Sequence, residues 1–127
     1  MKITMSQVLD LKSLYEKIKT QTLSISTTYK FSKLFSAISK EADFYSESLN
    51  KLIEKYAEKD EEGRPVLLEG GEGVKIQKDF IGAAQEELEE LISLKVELPD
   101  IQFRIEELEK LNISVDDFHH LLPFVQE

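Results

Sequence analysis

Between Phe31 and Tyr56 the chain reads FSKLFSAISKEADFYSESLNKLIEKY. Within it Phe31, Phe35, Ile38, Ala42, Tyr45, Leu49, Leu52 and Tyr56 recur in alternating steps of four and three. Leu34, Phe44 and Ile53 stand beside that seam and widen it. Such a mean period, held this long, predicts a continuous helix over 28–58. At 1.5 Å per residue it is about 30 residues and roughly 45 Å long, packed along its length on other helices. Two arrangements satisfy the pattern, an intramolecular helical hairpin and a coiled-coil dimer seam. The hairpin is preferred, although only one other substantial helix follows to cover the seam.

That partner helix is expected over 79–93, antiparallel to the first. Asp79 can cap it, Ile81, Ala84, Leu88 and Leu91 repeat the seam, and Glu86, Glu87, Glu89 and Glu90 cover the other face. Between the helices, Gly63 is a stop signal. Two β-like runs, 65–68 and 74–76, flank the turn Gly70-Gly71-Glu72-Gly73 and predict a β-hairpin over 65–76.

Upstream, Thr4 and Gln7 form a capping box, and Ile3 with Val8 can close a hydrophobic staple. Val8, Leu11, Tyr15 and Ile18 then make one apolar stripe, so a helix is expected over 5–19. The Ser/Thr-rich stretch 20–28 favours caps over helix interior, with a brief extended piece at 23–25 and a cap at Ser26 or Thr27. Downstream of Ser93 the period falls to two. Short strands are expected at 94–98 and 101–105, paired with the 65–76 hairpin or with 23–25. Short helices at 105–111 and 115–122 close the chain, the second with a box from Ser114 to Asp117 and a stop at Pro123. The fold class is therefore mainly α (α+β), in a single domain over 1–127.

The 127 residues carry 16 Lys plus Arg against 25 Asp plus Glu, a net charge of −9. Residues 1–40 hold seven Lys and two acids, whereas 41–127 hold nine basic and 23 acidic residues. Such polarity steers partners without bearing on fold. With no Cys there are no disulfides, thiolate metal sites or cysteine nucleophiles. No apolar run reaches the roughly 20 residues that span a bilayer, and no secretion signal opens the chain, so an intracellular protein without membrane contact is expected.

Little here suggests catalysis, and neither a catalytic residue, a metal ligand nor a cofactor is assigned. The glycine turn lacks the Lys-Ser/Thr ending of a phosphate loop, and Glu69 and Glu72 would repel phosphate. His119 and His120 are adjacent on a helix, pointing about 100° apart, and no third ligand stands at helical spacing. The paired glutamates fall on faces expected to be solvated, without the buried cleft that acid–base work needs. Direct nucleic-acid binding is not expected, because the basic N-terminal third uses only lysine and the whole chain is anionic.

Several strings resemble one group of sequences: Met1-Lys2-Ile3-Thr4, the helix end from Leu52 to Gly63, Val96-Glu97-Leu98 and Leu121-Leu122-Pro123-Phe124. They look like the small acidic proteins encoded by phages and prophages of Gram-positive bacteria. Ala57 departs from the glycine common at that helix end, and Gly70 to Gly73 enlarges the turn. The resemblance implies a phage product acting in the cytoplasm of the infected cell or in the virion.

The expected function is a non-enzymatic protein–protein interaction module, a phage accessory in morphogenesis as assembly factor or connector. It would bury leftover seam at Phe31, Phe35, Phe44 and Tyr45 against a protein partner, either itself as a homo-oligomer or another phage or host protein. The alternative is an acidic DNA mimic that inhibits a host nuclease or defence protein through a strip including Glu86, Glu87, Glu89 and Glu90.

Overall fold

A computed structural model describes residues 1–71 and 73–126; Glu72, in the predicted glycine turn, and Glu127 lie outside the described residues. The chain is mainly helical, with a small antiparallel sheet. In order, the elements are β1 (Lys2–Thr4), α1 (Met5–Ile18), α2 (Ile25–Tyr56), α3 (Ile81–Ile92), β2 (Lys95–Glu97), α4 (Ile105–Leu108) and α5 (Val115–Leu121). Single 3-10 turns, Lys78–Phe80 and Leu122–Phe124, lead into α3 and follow α5.

The expected long helix is one continuous α2, displaced by a few residues at each end. It starts earlier than 28 because Ser24, rather than Ser26 or Thr27, caps it: the Ser24 hydroxyl accepts from the Thr27 amide at 3.2 Å. It stops before 58 because the backbone beyond Tyr56 pairs elsewhere. The Gln77 amide donates to the Tyr56 carbonyl at 2.9 Å and the Glu58 amide to Lys75 at 2.8 Å.

The chain divides into two compact units, one of Met1–Ala42 with Lys95–Glu127 and one of Asp43–Leu94. In the first, both arms of the Thr4/Gln7 capping box are formed, and Ile3 and Val8 are buried as a staple requires. β1 pairs with β2 in the register Lys2↔Glu97, Ile3↔Val96, Thr4↔Lys95. This corrects the expected pairing of 94–98 with the 65–76 hairpin or 23–25. The predicted strand 101–105 also does not form. Phe103 makes a single parallel bridge to Val125, donating to Phe124 at 2.7 Å and accepting from Gln126 at 2.8 Å. Its ring then lies 4.4 Å from Phe31, while Phe35 meets Tyr15 at 4.7 Å. The first half of the α2 seam is thus sealed by α1 residues and the C-terminal segment, rather than by the helix at 79–93. The last two helices are shorter than predicted, ending at Leu108 and Leu121; the Ser114/Asp117 box opens α5 as expected.

In the second unit, residues 43–56 of α2 run antiparallel to α3. Tyr56 meets Phe80 just before α3 at 5.6 Å between rings, and Lys55 reaches Glu87 one helical stretch further on. Between them the predicted 65–76 hairpin forms as a β-bridge, Leu67↔Val74, and residues 57–59 join it through Ala57↔Ile76 and Lys59↔Pro65. Gly70, Gly71 and Gly73 turn this hairpin with positive φ, which only glycine adopts without strain.

The two units differ in how far they close. Among the described residues 22 hydrophobic residues are buried; 18 belong to the first unit and only Tyr56, Ala57, Ala84 and Leu91 to the second. Burial on this scale is the main stabilising contribution in folding, so the first unit has a closed core and the second has an open one.

Candidate interaction surface

The opening in the second unit is a groove of about 870 Å³. One wall is α2 through Leu49, Leu52 and Ile53, and another is α3 through Ile81, Ala84 and Leu88. The hairpin closes the third side with Leu68, Val74 and Ile76. The two helical walls follow from local sequence. The seam residues of α2 and α3 face each other as their spacing demands, whereas the hairpin carries adjacent Leu67 and Leu68, so one of any such pair must leave the core face. Both are exposed, as are Phe80 and Ile81. Water-exposed apolar surface gathered in a concave site is what a docking groove provides.

The rim is charged. Glu58 lines the groove with its carboxylate 3.4 Å from the Lys75 ammonium, and Lys75 and Lys78 line it as well. Gln85 lines the α3 side, with Glu89 one turn later on the same edge. The unit holds 14 acidic and six basic residues, so nearly all of the protein's net charge of −9 sits here.

A shallower recess of about 360 Å³ lies between Lys51 and Lys55 of α2 and Glu87, Glu90 and Leu94 of α3. Across it Lys55 donates to Glu87 at 3.2 Å. The Tyr56 hydroxyl, and after it the Lys55 ammonium, hold the Glu87 carboxyl below the ordinary carboxylate range.

The residues singled out from sequence scatter. Phe31 and Phe35 are each only 4% exposed and belong to the first unit's core, which corrects their expected place on a docking seam. Phe44 is 49% exposed and Tyr45 half-buried. Glu86, Glu89 and Glu90 are exposed on α3, while Glu87 is half-buried against Lys55. His120 Nδ1 lies 3.8 Å from Asp10 Oδ2, and its ring is 6.3 Å from that of His119. Among the described residues no group of three or more His, Asp or Glu could hold a metal ion.

Sequence reasoning missed Leu68, Val74, Ile76 and Ile81 as groove residues. The doubled apolar Leu67-Leu68 and the short cover for the second half of the seam were the signals available. No family model, no curated protein and no solved structure matches this chain.

Proposed function

We propose that this chain is a non-enzymatic protein–protein interaction module, a phage-encoded accessory in morphogenesis that engages another protein chain through the groove of its second unit. The observation that supports this reading is the open core: about 870 Å³ of apolar space between α2, α3 and the hairpin. A helix presenting large side chains at i and i+4 fits such a site by the helix-in-groove mode. Among the described residues no helix is long and apolar enough to cross a membrane. The phage context rests on the sequence resemblance and assigns the protein to the infected cell's cytoplasm or to the virion.

The concentration of 14 acidic residues in the second unit favours one other reading, an acidic DNA mimic that blocks a host nuclease or defence protein. The two differ in salt response. A mimic releases its target steeply as salt rises, whereas an apolar groove holds.

A photo-crosslinking side chain placed at Ile81, on the groove wall, tests the proposal in Gram-positive cells producing the protein. The expected result is a discrete protein adduct at 81 that persists at high salt and is missing with the same probe at Ser13, on the exposed face of α1. Equal, diffuse labelling at both positions would overturn it.

A further inference from the structure

We infer that the groove of the second unit binds one long-chain fatty acid, with its alkyl chain between α2, α3 and the hairpin and its carboxylate at Lys78. The inference rests on the open groove of the docking proposal and adds a small ligand that competes for it.

The lining suits a flexible chain. Nine of its 14 residues are aliphatic and no described lining residue is aromatic, so no flat face is offered on which a ring would stack. A volume of about 870 Å³ falls within the range of ligand sites, which are mostly apolar with a few placed polar groups. Leu49, Leu52, Ile53 and Leu88 are only half-buried, so each keeps surface that an alkyl chain would take out of water.

The charges stand at one end. Lys78 begins the 3-10 turn that leads into α3, and the amide of Gln77 beside it bonds to Tyr56, the last residue of α2. Glu58 and Lys75, 3.4 Å apart, lie at the same end. Leu49 is seven residues back along α2, and Leu88 is seven residues into α3 from Ile81. Because the helices are antiparallel, both leucines mark the other end, about 10 Å away at 1.5 Å per residue. The groove is therefore itself amphiphilic. Glu58 and Lys75 neutralise each other, whereas Lys78 has no carboxylate within ion-pair distance among the described residues. Its neighbour Asp79 is exposed and does not line the groove. An ammonium in that place favours an anionic head over a neutral or cationic one.

A bilayer surface is a poor occupant. Three walls admit a single chain but not a membrane face, and the unit's 14 acidic against six basic residues repel anionic headgroups. For one carboxylate seated at Lys78, charges more than about 8 Å away are largely screened at physiological salt.

Titration calorimetry of the full chain with laurate, below its micelle concentration, tests this. One laurate should bind per chain, and each methylene removed, down to decanoate, should weaken binding about fourfold. Dodecyltrimethylammonium has the same chain and the opposite charge, and it should bind at least about tenfold more weakly despite the acidic unit. Lys78→Glu should weaken laurate binding roughly tenfold, because reversal loses an attraction and adds a repulsion, while Lys78→Arg should retain it. Unchanged circular dichroism verifies both folds. Laurate should shift the methyl resonances of Leu49, Ile81 and Leu88 and leave those of Leu11 and Leu34 in place.

No binding, several laurates per chain, equal or tighter binding of the cation, or indifference to Lys78→Glu would each overturn the inference. Capture by phosphatidylglycerol vesicles without binding of laurate would overturn it in favour of a membrane surface. If a protein adduct forms at Ile81 but laurate does not bind, the fatty-acid site fails and the docking reading stands. If laurate binds as described and no adduct forms, the docking reading fails and the fatty-acid site stands.

Discussion

The Lys30 ammonium donates to the Glu107 carboxylate at 2.7 Å, tying the first turns of α2 to α4 across 77 residues of sequence. Arg104 Nε donates to the same oxygen at 3.0 Å, and the Glu107 side chain is only 7% exposed. Burial pushes the Glu107 carboxyl up, but the hydrogen bonds from Lys30 and Arg104 outweigh it and leave it below the ordinary 4.5. The carboxylate therefore holds the start of α2 in the first unit.

Glu107→Gln should destabilise the first unit by about 1–3 kcal/mol at neutral pH, less than for a sealed ion pair because Lys30 and Arg104 are partly in water. The folded carboxyl titrates below its unfolded value. Its stabilisation is thus fully present above about pH 4.5 and lost as pH falls through the folded value. Urea unfolding should show wild type and Glu107→Gln converging toward acid pH. A gap unchanged from neutral to strongly acid pH would refute this role.

Truncation should cost more in the first unit than in the second. Phe103→Ala removes a ring with no exposure that packs on Phe31, and a loss of about 3–5 kcal/mol is expected. Leu88→Ala, on a half-buried wall of the groove, should cost about 1 kcal/mol, because a side chain already facing open space leaves little new cavity. Thermal melts would contradict the contrast if the two losses were equal.

Gly63 has φ +81° with nothing near its missing Cβ, so Gly63→Ala meets backbone strain but no clash. About 1 kcal/mol should be lost, with Gly63→Asn losing less, because asparagine tolerates the left-handed region better. Equal losses in denaturant titrations would mean that something other than φ governs the site.

The cap of α5 offers a cleaner local test. Ser114 accepts from the Asp117 amide at 3.0 Å, and Asp117 also accepts from Lys17 of α1 at 3.0 Å. Ser114→Ala should cost about 1 kcal/mol. Asp117→Asn should cost less in the absence of Lys17 than in its presence, which a double-mutant cycle reads directly.

How much of this was legible in the sequence divides along local and long-range lines. Both capping boxes, the α2 seam and the antiparallel α3 rest on spacing within a turn or a heptad; the boxes form as read and the two helices form with shifted ends, α3 starting at Ile81 without the expected Asp79 cap because Asp79 lies inside the preceding 3-10 turn. The partner of 95–97 was illegible because β1 is only Lys2–Thr4, too short to show alternation, and it lies more than 90 residues away. Phe31 and Phe35 were read as surplus seam because their cover comes from Tyr15 of α1 and from Phe103, which stands in no helix, and spacing along the chain sets neither against α2. The groove was only half visible. Its helical walls follow from periodicity, but its third wall depends on where the hairpin lies over Leu49 and Ile53, which turn chemistry does not specify.

The central claim is that the second unit leaves its apolar core open where the first closes its own. Methyl NMR of the dilute protein with a soluble paramagnetic agent measures this most directly. Strong broadening is predicted for the methyls of Leu49, Leu68, Ile81 and Leu88, with little for those of Leu11, Leu34 and Leu121. Groove methyls as protected as those of Leu121 would contradict the claim, and the docking proposal would fall with it.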